Sequence, residues 1–257
     1  MRTAILTLAL AALLALGAGA VSAEVTQKGN LRVAFSGSIA PHDLPRGGKA
    51  PIAVALSGEI KTTDGQDPPQ LRTISLTLNR HGELDYTGLP RCDYNQIQPA
   101  TSEEARSSCG SAQVGKGTFK AHVALPEQSP FPSQGRILAF NGELDGKPVI
   151  YAHIYGTRPL PQSFVLTFHI RKGGGGTTKL IANLPRVAAK WGFVSGVSLT
   201  LQRNFNYRQQ RHSYLSAGCP APKGFPGTTF DFARVFFGFE DGRAMNSTLT
   251  RSCTVRR

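Results

Sequence analysis

Through Ile74-Ser75-Leu76-Thr77-Leu78, apolar and hydroxylated side chains alternate one by one, and the same period returns at Phe164, Leu166, Phe168 and Ile170 and at Ile150, Ala152 and Ile154. A period of two sends neighbouring side chains to opposite faces of the backbone, which is the geometry of a strand and not of an amphipathic helix. β-Branched and aromatic residues are enriched in such segments, and 28 Gly and 17 Pro punctuate the chain, the pattern of short strands joined by turns. Candidate strands fall at 31–39, 52–61, 71–79, 118–125, 136–144, 149–155, 164–171, 178–184, 193–205, 212–217, 229–239 and 247–255. About twelve short strands at this spacing predict an all-β fold, a large antiparallel β-sandwich in preference to a closed barrel.

Local chemistry marks the connections. Asp145-Gly146 separates two strand patterns and predicts a tight hairpin, because both positions of such a turn take left-handed backbone. His81-Gly82 and Asp241-Gly242 predict further turns. One short helix, between Cys92 and Cys109, is expected from Thr101 or Ser102 to about Ser108, where an N-cap hydroxyl precedes Glu103 and Glu104. A motif recurs at 33–39, 54–60 and loosely 138–144, each with a central Gly37, Gly58 or Gly142. Its unequal spacing excludes a solenoid or propeller and points to glycines at bulges or close approaches. Pro126, Pro130 and Pro132 suggest a linker at 125–135, but the first half has too few strands to close alone. Residues 24–257 are therefore expected to form a single β-rich domain.

The N-terminus sets the compartment. Arg2 precedes an apolar run from Ala4 through Val21 that ends in Val21-Ser22-Ala23, the order of basic, apolar and small residues that defines a secretory signal peptide over 1–23. No basic stop-transfer segment follows, and the first cysteine, Cys92, is far from the cut site, so neither a membrane anchor nor a lipid anchor is expected. Four cysteines, Cys92, Cys109, Cys219 and Cys253, in an exported chain read as two disulfides. Three pairings are possible; the one joining neighbours in sequence closes two short loops, each stabilising by roughly 3 kcal/mol on the loop-entropy model. A zinc site would need closely spaced ligand pairs, and there are none.

A formal net charge of +13, lowered by one when Arg2 leaves, favours anionic partners: envelope polymers, acidic glycans or lipid headgroups. The basic residues are spread along the chain, which fits solubility and an Arg-rich coding bias equally well, and no specific nucleic-acid partner is expected. Signatures of nucleophilic hydrolysis, GxSxG and SxxK, are missing, and Gly192-Phe193-Val194-Ser195-Gly196 sits in a strand pattern. Paired carboxylates for glycoside hydrolysis would have to come from Glu59, Asp64, Asp67, Glu83, Asp85, Glu127, Glu143 and Asp231, among which nothing selects a pair. Gly173 to Gly176 lies between strand patterns and reads as a hairpin tip, not a phosphate loop. No cofactor or metal is implied.

Two constellations qualify as binding sites. Tyr151, His153 and Tyr155 share a face opposite Ile150, Ala152 and Ile154, with His169 on a neighbouring strand; rings of this kind stack on a sugar, or form the second buried face of a central strand. Arg203-Asn204-Phe205-Asn206-Tyr207-Arg208-Gln209-Gln210-Arg211-His212-Ser213-Tyr214 interleaves cations with aromatics, a mixture that holds phosphates while rings stack. Its best candidates are Arg203, Tyr207, Arg208, Arg211 and His212; the competing reading is a polar hairpin with its arginines in solvent.

Several fragments, among them Asn79-Arg80-His81-Gly82, Gly88-Leu89-Pro90 before Cys92, Ala152-His153-Ile154-Tyr155-Gly156 and Ser213-Tyr214-Leu215-Ser216-Ala217-Gly218-Cys219-Pro220, together resemble a group of secreted actinobacterial β-rich proteins of unassigned function, over nearly the whole mature chain. The resemblance implies export and a bacterial source, and it brings no catalytic residues. The expectation is a secreted non-enzymatic envelope or extracellular protein, structural or binding an anionic polymer or lipid headgroup. The alternatives are a glycan-directed hydrolase and a carrier of an apolar lipid.

Overall fold

The alternating segments do form strands. The computed structural model describes residues 23–256 except 125, 126, 128, 159 and 185–191; the expected leader, apart from Ala23, lies outside the described residues. The first half holds β1 (Glu24–Lys28), β2 (Leu31–Ala40), β3 (Asp43–Leu44), β4 (Ala50–Pro51), β5 (Ala53–Thr62), β6 (Leu71–Leu78), β7 (Gly82–Leu84), the helix α1 (Ser102–Cys109) and β8 (Gln113–Val123). Then follow β9 (Phe131–Leu144), β10 (Lys147–Gly156), β11 (Gln162–Lys172), β12 (Thr178–Asn183), β13 (Gly192–Leu201), β14 (Asn204–Tyr207), β15 (Gln210–Ser213), β16 (Leu215–Ala217), β17 (Gly227–Phe239) and β18 (Ala244–Val255).

Thirteen of the strands make one sheet in the order β1-β2-β5-β13-β8-β9-β10-β11-β12-β6-β17-β18-β3. This corrects the expected sandwich: each strand bonds to the next without a break, and the sheet curls into a half-barrel instead of splitting into two facing layers. Curling solves the same problem as a second layer, because right-handed twist accumulated over many strands turns one face inward. The inward residues, including Val33 and Phe35 of β2, Leu76 and Leu78 of β6, Val235 and Phe237 of β17 and Leu249 of β18, form one apolar core. Phe35 and Phe237 meet edge to face at 5.8 Å. The small sheet β4-β16-β7 shares that core through Ala50, Leu84, Leu215 and Ala217.

Several local expectations are met. Leu144 pairs with Lys147 across Asp145 and Gly146, whose φ values of 51° and 72° are left-handed. Val123 pairs with Phe131, so β8 and β9 are neighbours in a hairpin, and the residues of the suggested linker from Phe131 on are strand. Gly173 to Thr177 closes the β11–β12 hairpin beyond the Lys172–Thr178 pair. The helix begins after Thr101, whose hydroxyl accepts from Glu104 N. Disulfides join Cys92 to Cys109 and Cys219 to Cys253. Among the recurring glycines, Gly142 is a close approach: a Cβ there would lie 2.3 Å from the Tyr151 ring.

Candidate functional site

Alternation correctly placed Tyr151 and His153 opposite Ile150, Ala152 and Ile154, and the structure buries both faces. Tyr151 is 1 % exposed and His153 is fully enclosed. The cover is α1 with its flanking turns: Ile97, Ala105, Cys109 and Ala112 pack with Leu138, Phe140, Val149 and Tyr151 into a second apolar cluster, fastened by the Cys92–Cys109 disulfide. The Tyr151 hydroxyl donates to Glu143 O at 2.7 Å, and His153 Nε2 bonds to Ala100 O at 2.9 Å. Burial raises the Tyr151 pKa and lowers that of His153. Tyr155 stays half-buried beyond the helix, and His169 is exposed, paired with Val149 and Ile181.

The second constellation folds as the β14–β15 hairpin, with Arg208 and Gln209 at its left-handed turn. Phe205 pairs with His212 and Tyr207 with Gln210 on one face, while Asn206 pairs with Arg211 on the other. The rings thus share one face of the hairpin, and Arg211 lies on the other. The Phe205 and His212 rings stack at 5.5 Å, Tyr207 meets His212 at 6.0 Å, and the Tyr207 ring lies on Gly88, where a Cβ would come within 2.2 Å. His212 Nδ1 sits 3.2 Å from Asp85 Oδ2. Burial raises the Asp85 pKa, but bonds from Thr87 and His212 outweigh it and leave the carboxyl below its ordinary value. Arg203 donates to Ser111 O at 3.2 Å. The exposed cations here are Arg208, which lies over the Tyr207 ring at 5.2 Å, and Arg211.

A cation cluster that the sequence did not single out lies on the outer face of the large sheet. Read across the strands, Ser36 opposes Ser57, Ser57 opposes Ser198, Ser198 opposes Thr118, Thr118 opposes Arg136, and Arg136 opposes Tyr155. With strands about 4.8 Å apart, this row runs roughly 24 Å across six strands. Thr118 and Ser198 share a hydrogen bond of 3.3 Å. Along β8, Lys116 and Lys120 flank Thr118 on the same face at two-residue steps of roughly 7 Å. Lys116, Lys120 and Arg136 are all exposed, and the ion pairs of the described residues do not include them. The nearest carboxylate in the ladder, Glu59, opposes Gly196 beside Lys120 and is held by Lys61 at 3.3 Å. The row passes through a shallow hollow of about 260 Å³ lined by Ser36, Ser57, Ser198 and Thr200.

Among the described residues no helix is long and apolar enough to cross a membrane, and no group of three or more His, Cys, Asp or Glu is placed to hold a metal. No family model, curated protein or solved structure matches the chain.

Proposed function

We propose that this is a secreted, non-enzymatic envelope or extracellular protein that binds an anionic polymer or lipid headgroup on the outer face of its large sheet. The observation that carries the reading is the convergence of Lys116, Lys120 and Arg136 on Thr118, three exposed cations without carboxylate partners among the described residues. Unpaired cations on a flat hydroxylated face attract a polyanion at little desolvation cost and release counterions when it docks. Tyr155 at the end of the row adds a ring and a hydroxyl.

The rival readings find less support. A glycosidase acid needs a carboxyl pKa raised by its surroundings, whereas among the described residues each resolved carboxyl shift, at Asp64, Asp85, Glu104 and Asp241, is downward. A lipid carrier needs an enclosed apolar cavity, and the two hollows described on the outer face of the sheet are open, with Ser and Thr among the residues that line them.

Thermal shift of the mature protein with polyphosphate, phosphatidylglycerol vesicles and neutral dextran, at low and high salt, tests the proposal. The anionic probes are expected to raise the melting temperature at low salt, with the shift fading as salt screens the charges. The exposed double variant Lys120→Glu, Arg136→Glu is expected to melt unchanged alone and to bind polyphosphate at least about tenfold more weakly. Equal shifts with dextran, or no response to any anion at low salt, would remove the proposal's basis.

A further inference from the structure

A second cationic site lies on the outer face beyond α1, in a groove of about 390 Å³ over β12, β6 and β17. Its floor is the hydroxyl face of β6, Thr73, Ser75 and Thr77. One row across the strands reads Arg171, Lys179, Thr77, Arg234, since each residue is the register partner of the next. The neighbouring row reads His169, Ile181, Ser75, Phe236, Asn246. Long side chains in the first row therefore stand on either side of a threonine, and apolar side chains in the second stand on either side of a serine. Lys179 and Arg234 are separated by two strand spacings, roughly 10 Å between backbones, a gap their side chains span toward one anion above Thr77. Arg171 and Lys179 have no carboxylate partner among the described residues, and Arg234 is held by Asp231 at 3.1 Å in an exposed pair. Such a pair contributes only about 0–1 kcal/mol and yields readily to a ligand anion. Phe236 is half-buried, so part of its ring is open to the groove.

We infer that this groove binds the anionic sugar unit of a glycan, with the anion between Lys179 and Arg234 over Thr77 and the sugar ring over Ser75 between Ile181 and Phe236. The two rows are one two-residue step apart, roughly 7 Å between backbones, and the long side chains of Lys179 and Arg234 lean across that step toward the shorter-range phosphate or carboxylate of a ring seated on the second row. A sugar ring has apolar C–H faces that pack on an aromatic ring and hydroxyl edges that bond to polar side chains; the second row supplies the ring in Phe236 and polar groups in the exposed Asn246 and in Ser75, which is buried at the floor of the groove. This site is separate from the Thr118 cluster, and its occupancy does not depend on that cluster.

Amide chemical-shift mapping of the mature protein, titrated with an oligouronate, a sugar monophosphate, inorganic phosphate and a neutral oligosaccharide, tests the inference. Both anionic sugars are expected to move Thr77, Lys179 and Arg234 together with Ser75 and Phe236, inorganic phosphate only the first three, and the neutral sugar none of them. A response to one anionic sugar alone identifies whether the natural unit is phosphorylated or uronic. Arg234→Ala is expected to weaken binding of that sugar about tenfold, and Phe236→Leu, which retains the burial, to weaken it several-fold without changing the affinity for inorganic phosphate. Inorganic phosphate binding as tightly as the sugar anions would overturn the inference, as would perturbations confined to the residues around Thr118, an outcome that leaves the Thr118 proposal standing.

Discussion

His153 shows how one side chain can make a folded structure sensitive to pH. Its Nε2 faces the Ala100 carbonyl, which can only accept, so the proton of the neutral ring resides on Nε2. Nδ1 is buried with no partner, and protonating it would place a cation against Leu138 and Val165, its cross-strand neighbours. Burial therefore pulls the pKa below its ordinary 6.5, against the smaller opposing pull of the Ala100 bond. Below that ordinary value the unfolded chain takes up a proton that the folded chain refuses, so this contribution to stability is complete above pH 6.5 and is lost as pH falls. His81 has the same sign, through burial and then through Arg80 and Lys49. The carboxylates with lowered pKa values act only below about pH 4, outside the range in which the two histidines act. The melting temperature is expected to fall between about pH 7 and pH 5. His153→Gln, which still donates to Ala100 O, is expected to flatten that slope, and an unchanged slope in the variant would rule His153 out as its source.

The acceptor of that bond, Ala100, immediately precedes the cap of α1, so the next scale is the helix. Eight residues are too few to hold a helix in water; Thr101 and Glu104 exchange bonds of 3.2 and 2.7 Å at its start, and Cys109 ties its end to Cys92. Thr101→Ala is expected to cost about 1 kcal/mol in urea unfolding and to speed amide exchange across Ser102–Cys109. Exchange there as slow as in the unaltered protein would show that the disulfide alone holds the helix. This helix was legible because its signals are local: a hydroxyl, two carboxylates and a cysteine within nine residues. The long strands were legible for the same reason, each being a run of alternating residues. β1, β3, β4 and β7 were not, since two to five residues are too few to show a period. The expected strand at 193–205 is in fact β13 and β14, because after Leu201 the chain leaves β5 and β8 and pairs with its own continuation in β15. The candidate cation sites were legible only by half. Alternation shows that Thr77 and Thr118 face outward, but not that β6 lies between β12 and β17 or that β8 lies beside β9, and it is this pairing that gathers the cations.

At the scale of the whole molecule, a sheet this long has two edges to protect. Exposed edges pair with other chains unless they are covered or charged. Here the curl brings the β1–β2 edge against β18 through side chains instead of a ladder: Thr26 Oγ1 donates to Asn246 O at 2.9 Å, and the Arg251 guanidinium reaches Glu24 at 2.7 Å and the Gly37 carbonyl. The Arg251 side chain is only 13 % exposed, so its own bonds are partly shielded from water and from salt. Arg251→Met retains the apolar stem and removes the charge, leaving Glu24 without its partner and the Gly37 carbonyl short of a donor. The loss is expected to be about 1–3 kcal/mol in urea unfolding, with faster amide exchange concentrated in Glu24–Lys28 and little change in β9 and β10 at the middle of the sheet. If closure also protects the edge, the variant associates at high concentration in analytical ultracentrifugation while the unaltered protein stays monodisperse. A variant as stable as the parent, with β1 equally protected, would show that inward apolar packing alone holds the curl closed and that the Arg251–Glu24 pair is only a surface ornament of it.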